Sequence, residues 1–206
     1  SVTAFAASDA AGLLGAPEVV LRRSPRQSIG FFYKRAAEAF GFSGSEACGY
    51  LMSLSGCGDG GEAAGFLRER LFARDGQGLW SFLEAGFDPF RGHAGSAARC
   101  FPEDVLARLA LPAPAEDGDL LARAAQANAI QRVTEAYLEE LLGHLVRAHR
   151  PRTVFLSGGV FLLLSERLTM LAEQAKEPIK INVADPAAAS GGGGGGGVQR
   201  ARREGP

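Results

Sequence analysis

The sequence predicts an α/β fold, and three features carry that prediction. A long amphipathic helix pattern covers residues 119–149. A β-branched and aromatic run, Thr153-Val154-Phe155-Leu156, follows it and leads into Gly158-Gly159. A further helix pattern over 161–176 and a strand pattern over 179–184 come next. Helix, strand, glycine turn, helix, strand is the order of a layered sheet whose strands are joined by helices.

In the long helix, Ile130, Val133, Tyr137, Leu138, Leu141, Leu142 and Leu145 recur at three- and four-residue steps and form a core-facing stripe. Arg132, Glu135, Glu139, Glu140 and Arg147 fall mainly on the other side. Asp119 is placed to cap the start, and Pro151 ends the helix. The run at 153–156 predicts a buried strand. Upstream, residues 1–23 predict a weak strand, a turn around Gly12 and Gly15, and a short apolar run, Val19-Val20-Leu21. Residues 28–40 suit a helix with Ser28 as N-cap, an apolar face of Phe31, Phe32, Ala36 and Phe40, and Gly41 as its stop. Ser45 and Glu46 open a second helix over about 46–54, closed by Gly56. Residues 56–61 form a glycine loop in which Asp59 reads as a turn residue, and 62–74 an amphipathic helix. Residues 75–118 are rich in Gly, Pro and aromatics and predict an irregular insertion with one helix at about 102–110 and a surface loop at 113–119. The chain thus divides into a domain over 1–189 and a glycine-rich loop with a basic tail over 190–206.

Lys and Arg number 22 against 23 Asp and Glu, which gives no electrostatic reason to expect nucleic acid or an anionic membrane as partner. No apolar run reaches the roughly 18 residues that a membrane span needs. The start lacks the layout of a signal peptide, and a first residue other than Met suggests a processed, tagged or truncated chain. Cys48, Cys57 and Cys100 are odd in number and widely spaced, which reads as reduced thiols in a cytoplasmic protein. His93, His144 and His149 are scattered, and the five-residue step between the last two does not make a metal pair on one helix face.

The most informative segment is Phe155-Leu156-Ser157-Gly158-Gly159-Val160. Two glycines after a strand and before a helix let backbone approach a bound group and aim helix N–H groups at it. By themselves they make only a tight turn. Their neighbours add to them. Residues 127–135, Ala-Asn-Ala-Ile-Gln-Arg-Val-Thr-Glu, place Gln131 and Glu135 one helical turn apart ahead of the strand. Ser28-Ile29-Gly30-Phe31-Phe32-Tyr33 with Gly41-Phe42, and Gly49-Tyr50-Leu51-Met52-Ser53-Leu54-Ser55, precede them. In this order the four segments resemble the carbamoyltransferases that modify antibiotics and nodulation factors. That family belongs to the ATPase folds of actin, sugar kinases and heat-shock chaperones.

The resemblance spans about residues 1–198 and implies a ribonuclease-H-like lobe, a mixed sheet with flanking helices. It implies transfer of a carbamoyl group from carbamoyl phosphate to a hydroxyl acceptor, with ATP and Mg2+ or another divalent metal. Ser157, Gly158, Gly159 and Val160 would hold the nucleotide, with Gly191, Gly192, Gly193 and Gly194 second and Gln131 and Glu135 on the cleft floor. Each carries a plainer alternative. Gln131 and Glu135 also suit a solvated helix face, and the seven glycines at 191–197 also suit a flexible linker, because ordering them costs much entropy. The sequence departs from the family at three places: Leu163 stands where Asn is usual, Tyr50 where Lys is usual, and Gly191 where an Asp precedes the later glycines. The family's amino-terminal lobe, with its metal-binding histidines, would lie before Ser1, and its carboxy-terminal domain after Pro206. The alternative function is a degenerate, non-catalytic nucleotide-fold scaffold or interaction module.

Overall fold

The structure is a computed structural model that describes residues 2–6, 9–10, 13–14, 18–91, 97–109, 120–157 and 180–184. It is a mixed α/β protein whose described strands form four two-stranded sheets. The chain divides into two units, residues 1–151 and 152–206. Among the described residues no helix is long and apolar enough to cross a membrane.

The first unit begins with β1 (Val2–Ala6), which pairs antiparallel with β4 (Glu18–Arg23), the register shifting between Ala4 and Phe5. Between them β2 (Asp9–Ala10) pairs with β3 (Leu13–Leu14). A short 3-10 turn at Pro25–Gln27 leads to α1 (Ile29–Ala39). The Ser28 hydroxyl accepts the Phe31 amide at 3.3 Å, as an N-cap should, and Gly41 follows the helix at φ +87°. Phe32, Ala36 and Phe40 are buried, as the spacing predicts, whereas Phe31 stays exposed and meets Phe90 edge-on. Helix α2 (Ala47–Ser55) ends at Gly56.

Helix α3 (Gly61–Leu71) is shorter than its sequence pattern. Residues 72–74 leave it as β5 (Phe72–Arg74), which pairs with β6 (Trp80–Phe82). The intervening turn is built by Asp75, whose Oδ1 accepts the amides of Gln77 at 2.8 Å and Leu79 at 3.0 Å, with Gly78 at φ +74°. The stretch from 75 onward also supplies part of the core. Phe82, Phe87 and Phe101 from it are buried around Phe32, with ring centroids 5.5, 5.4 and 5.9 Å away, and Phe72 adds a fourth ring at 6.3 Å. Each such side chain stabilises the fold by roughly 1.5–3 kcal/mol through burial. A 3-10 turn at Ala97–Cys100 and α4 (Glu103–Arg108) close this region. The loop expected at 113–119 lies outside the described residues, as does Asp119.

Helix α5 (Leu120–His149) is the support for the rest. Its carboxy-terminal half carries the expected stripe: Ile130, Val133, Tyr137, Leu138, Leu141 and Leu142 are all buried. Its amino-terminal half is small instead, with Ala124, Ala127 and Ala129 fully buried. There the 56–60 loop comes to backbone contact. A Cβ on Gly58 would lie 2.3 Å from Ala124 backbone, and one on Gly60 would lie 2.1 Å from the Ala125 carbonyl oxygen. Asn128 locks this approach. Its side-chain oxygen accepts the Gly60 amide and its NH2 donates to the Ser55 carbonyl, both at 3.0 Å. Arg123 donates to the Phe40 carbonyl at 2.8 Å and so satisfies the end of α1.

In the second unit β7 (Thr153–Ser157) pairs with β8 (Lys180–Ala184) in parallel, residue by residue from Thr153 with Lys180 to Ser157 with Ala184. Parallel neighbours require a crossover connection. The helix expected at 161–176 lies outside the described residues. The strand at 153–156 differs from the expectation of full burial: Leu156 is buried, but Phe155 is 79% exposed. An apolar run signals burial of both faces only when both are covered, and this one is not.

Gly60→Ala is expected to destabilise the chain by about 3 kcal/mol, because backbone rather than a movable side chain fills the Cβ position. Gly65→Ala, at a helix position with nothing within 4 Å of a Cβ, should stabilise it by roughly 0.5–1 kcal/mol. Urea midpoints of the two variants check both signs.

Candidate functional site

Of the residues expected at a nucleotide site, Ser157 is described, and it is the exposed last residue of β7, directly across from Ala184. Gly158, Gly159 and Val160, and Gly191 to Gly194, lie outside the described residues. What the structure supplies is their point of departure. Because β7 and β8 are parallel and in register, the chain leaves both strands at the same edge, toward Gly158 from one and toward the glycine tract from the other.

Gln131 and Glu135 belong to the first unit. Gln131 is only 7% exposed. Its side-chain oxygen accepts the Tyr33 hydroxyl at 2.7 Å, and its amide donates to a Glu135 carboxylate oxygen at 2.8 Å. The three side chains form a hydrogen-bonded chain from α1 through the interior to half-buried Glu135. Burial, and to a lesser degree the nearby Cys48 and Glu135, push the Tyr33 phenol well above its ordinary range. Tyr33 is therefore a neutral donor that ties α1 to α5. Burial likewise raises the Cys48 thiol, against the opposing charge of Lys34.

Tyr50, at the place where the resembled family has Lys, is a surface residue, 53% exposed. Its hydroxyl bonds Glu46 at 3.2 Å and its ring lies 5.8 Å from Phe42. Asp59 is a turn residue, as expected, and accepts the Gly61 amide at 3.2 Å. Cys48, Cys57 and Cys100 form no disulfide. Among the described residues no three His, Cys, Asp or Glu side chains are grouped as a metal would need.

A polar cluster joins β4 to the β5–β6 turn. Arg23, 9% exposed, donates to Asp75 Oδ2 at 2.5 Å, while its Nε and second amino nitrogen are buried without a partner. Partial burial pushes the Asp75 carboxyl up, but the Arg23 hydrogen bond, the amides of Gln77 and Leu79 and the Arg23 charge outweigh it and hold the group below the ordinary range. Gln27 completes the joint by binding the edge of β6. Its oxygen accepts from the Phe82 amide at 2.6 Å and the Ser81 hydroxyl at 2.8 Å, and its NH2 donates to the Phe82 carbonyl at 3.1 Å.

A groove not among the sequence expectations lies between α3 and α5, with a volume near 240 Å3. Helix α3 lines it with Gly61, Ala64, Gly65 and Arg68, α5 with Arg132, Val133 and Ala136, and β6 with Trp80. The signal was present: residues 61, 64, 65 and 68 follow the three- and four-residue steps of one helix face, small except for the final Arg. Arg68 lies 5.9 Å from the Trp80 ring centroid and Arg74 5.3 Å from it. Arg132 makes a loose pair with Asp59 at 3.6 Å.

Compared with known proteins, the chain matches no family model and no curated protein.

Asp75→Asn should cost about 3 kcal/mol at neutral pH, since it leaves the buried Arg23 charge without its carboxylate. The native pKa of Asp75 lies below its unfolded value of about 3.9. Its contribution is therefore complete above that pH and is lost as pH falls through the lower native value. The variant should accordingly show a shallower acid limb in stability against pH, measured by denaturant unfolding from pH 7 downward. Tyr33→Phe should cost about 1 kcal/mol in the same assay through loss of one buried hydrogen bond.

Proposed function

We propose that the chain is the nucleotide-binding part of a carbamoyltransferase-like domain with a ribonuclease-H-like fold of the actin-like ATPase group. In this reading it holds the adenosine of ATP, with Mg2+ or another divalent metal, while carbamoyl passes from carbamoyl phosphate to a hydroxyl acceptor. The observation that supports it is the parallel register of β7 and β8. Ser157 and Ala184 end side by side, so Gly158-Gly159 and the chain leading to Gly191–Gly194 both start from the carboxyl edge of adjacent parallel strands. Ligands of α/β sheets bind outside that edge, where backbone amides and absent side chains admit a phosphate or a ribose. Ser157, already exposed there, would contribute a hydroxyl. Gln131, engaged by Tyr33 and Glu135, would act in this reading as a brace within the helical unit and not as a ligand.

The second reading, a non-catalytic scaffold on a nucleotide fold, draws support from Tyr50. It puts a surface phenol, bonded to Glu46, where the resembled family has a cation.

Calorimetric titration with ATP and Mg2+ separates the two. Nucleotide binding predicts saturable heat in the micromolar range that is lost on Gly159→Trp. A folded chain giving no heat at millimolar ATP would instead be the scaffold.

A further inference from the structure

We propose that the groove between α3 and α5 is a binding site for a small anion, a carboxylate or phosphate, carried on a flat apolar body. The site lies wholly within the first unit and is independent of the nucleotide reading.

Three observations converge on that ligand class. Ala64 and Gly65 from α3 and Val133 and Ala136 from α5 give part of the lining a small, apolar character. The volume, near 240 Å3, falls below the roughly 300–1,000 Å3 of sites for drug-sized ligands and so calls for a smaller molecule. The polar lining is cationic. Arg68 has no carboxylate partner among the described residues and lies beside the Trp80 ring. Among the described residues Arg132 has one carboxylate near it, Asp59, in a long 3.6 Å pair with a side chain that is 85% exposed. Two guanidiniums beside an apolar part of the lining favour an anionic head with a hydrophobic body, and a guanidinium fork matches the oxygens of carboxylate and phosphate alike.

Gly65 adds to these three. It sits inside α3, where glycine weakens a helix, yet a Cβ there would meet nothing within 4 Å. Packing therefore does not account for it, in contrast to Gly58 and Gly60, whose Cβ positions are filled by α5 backbone. A side chain at 65 would enter the groove. Open space is what its absence provides.

Trp80 is the chain's one tryptophan, so its fluorescence reports on the groove alone. The experiment titrates the whole chain with phenyl phosphate, benzoate, inorganic phosphate and neutral benzyl alcohol. The expected result is a saturable change with phenyl phosphate, benzoate or both, at least tenfold tighter than with inorganic phosphate or benzyl alcohol. The two aromatic anions against each other decide between phosphate and carboxylate. Arg68→Gln with Arg132→Gln should weaken binding at least tenfold. Asp59→Asn should tighten it, because it removes the competing carboxylate. Gly65→Leu should abolish binding while keeping native circular dichroism, and its helix does not depend on the groove being empty. Absence of saturation at millimolar aromatic anion would overturn the proposal. So would inorganic phosphate binding as tightly as phenyl phosphate, or unchanged affinity in Gly65→Leu.

Discussion

The first unit depends on how closely chain can approach the amino-terminal half of α5. Helices α1, α2 and α3 all pack on α5, and the 56–60 loop comes against its backbone. Ala124, Ala125 and Ala129 on one side, and Gly58 and Gly60 on the other, leave no room for a methyl group. That contact sets the spacing of α2 and α3, and Asn128 then fixes it with two hydrogen bonds, one to each side of the loop. Close packing of this kind has low tolerance. A displacement large enough to admit one Cβ would separate both helices from the post they share.

The aromatic cluster and the α3–α5 groove follow from that spacing. Below the alanines, α5 turns to Ile130, Tyr137 and Leu138, and the unit widens to take the rings of Phe72, Phe82, Phe87 and Phe101 around Phe32. Tyr137 bridges the two regions. Its ring packs on Phe72 and Phe82, and its hydroxyl donates to the Gln27 carbonyl at 3.4 Å. Where α3 offers Gly61 and Gly65 in place of larger residues, the missing side chains leave a recess between the same two helices.

Much of this was legible in the residues. Ser28, Gly41, Gly56 and Pro151 mark helix ends by local chemistry, which needs no partner to be read. The stripe on α5 was legible because it repeats over many turns. The β5–β6 hairpin was not, because Phe72-Ala73-Arg74 continues a helical pattern without a glycine or proline between Leu71 and Phe72. What turns it into strand is pairing with Trp80–Phe82, a tertiary fact. The same holds for 75–101, whose glycines and prolines suggest irregular chain, while the burial of its phenylalanines depends on Phe32 far away in sequence. Side-chain roles were harder still. Gln131 and Glu135 are one turn apart on a helix, which suits a cleft, a solvent face or an internal brace. Only the position of Tyr33, 98 residues earlier in the chain, makes the pair part of a brace.

The ring cluster also has a consequence for synthesis. Phe32 is translated long before the rings that cover it, the latest of which is Phe101. At roughly 5–20 residues per second, its apolar face waits between about 3 and 14 s on the ribosome for that cover. Helix α1 cannot be stable alone over so few turns. The nascent chain therefore carries an open, sticky segment through that interval, and shielding it there is a task for whatever meets the chain at the tunnel exit.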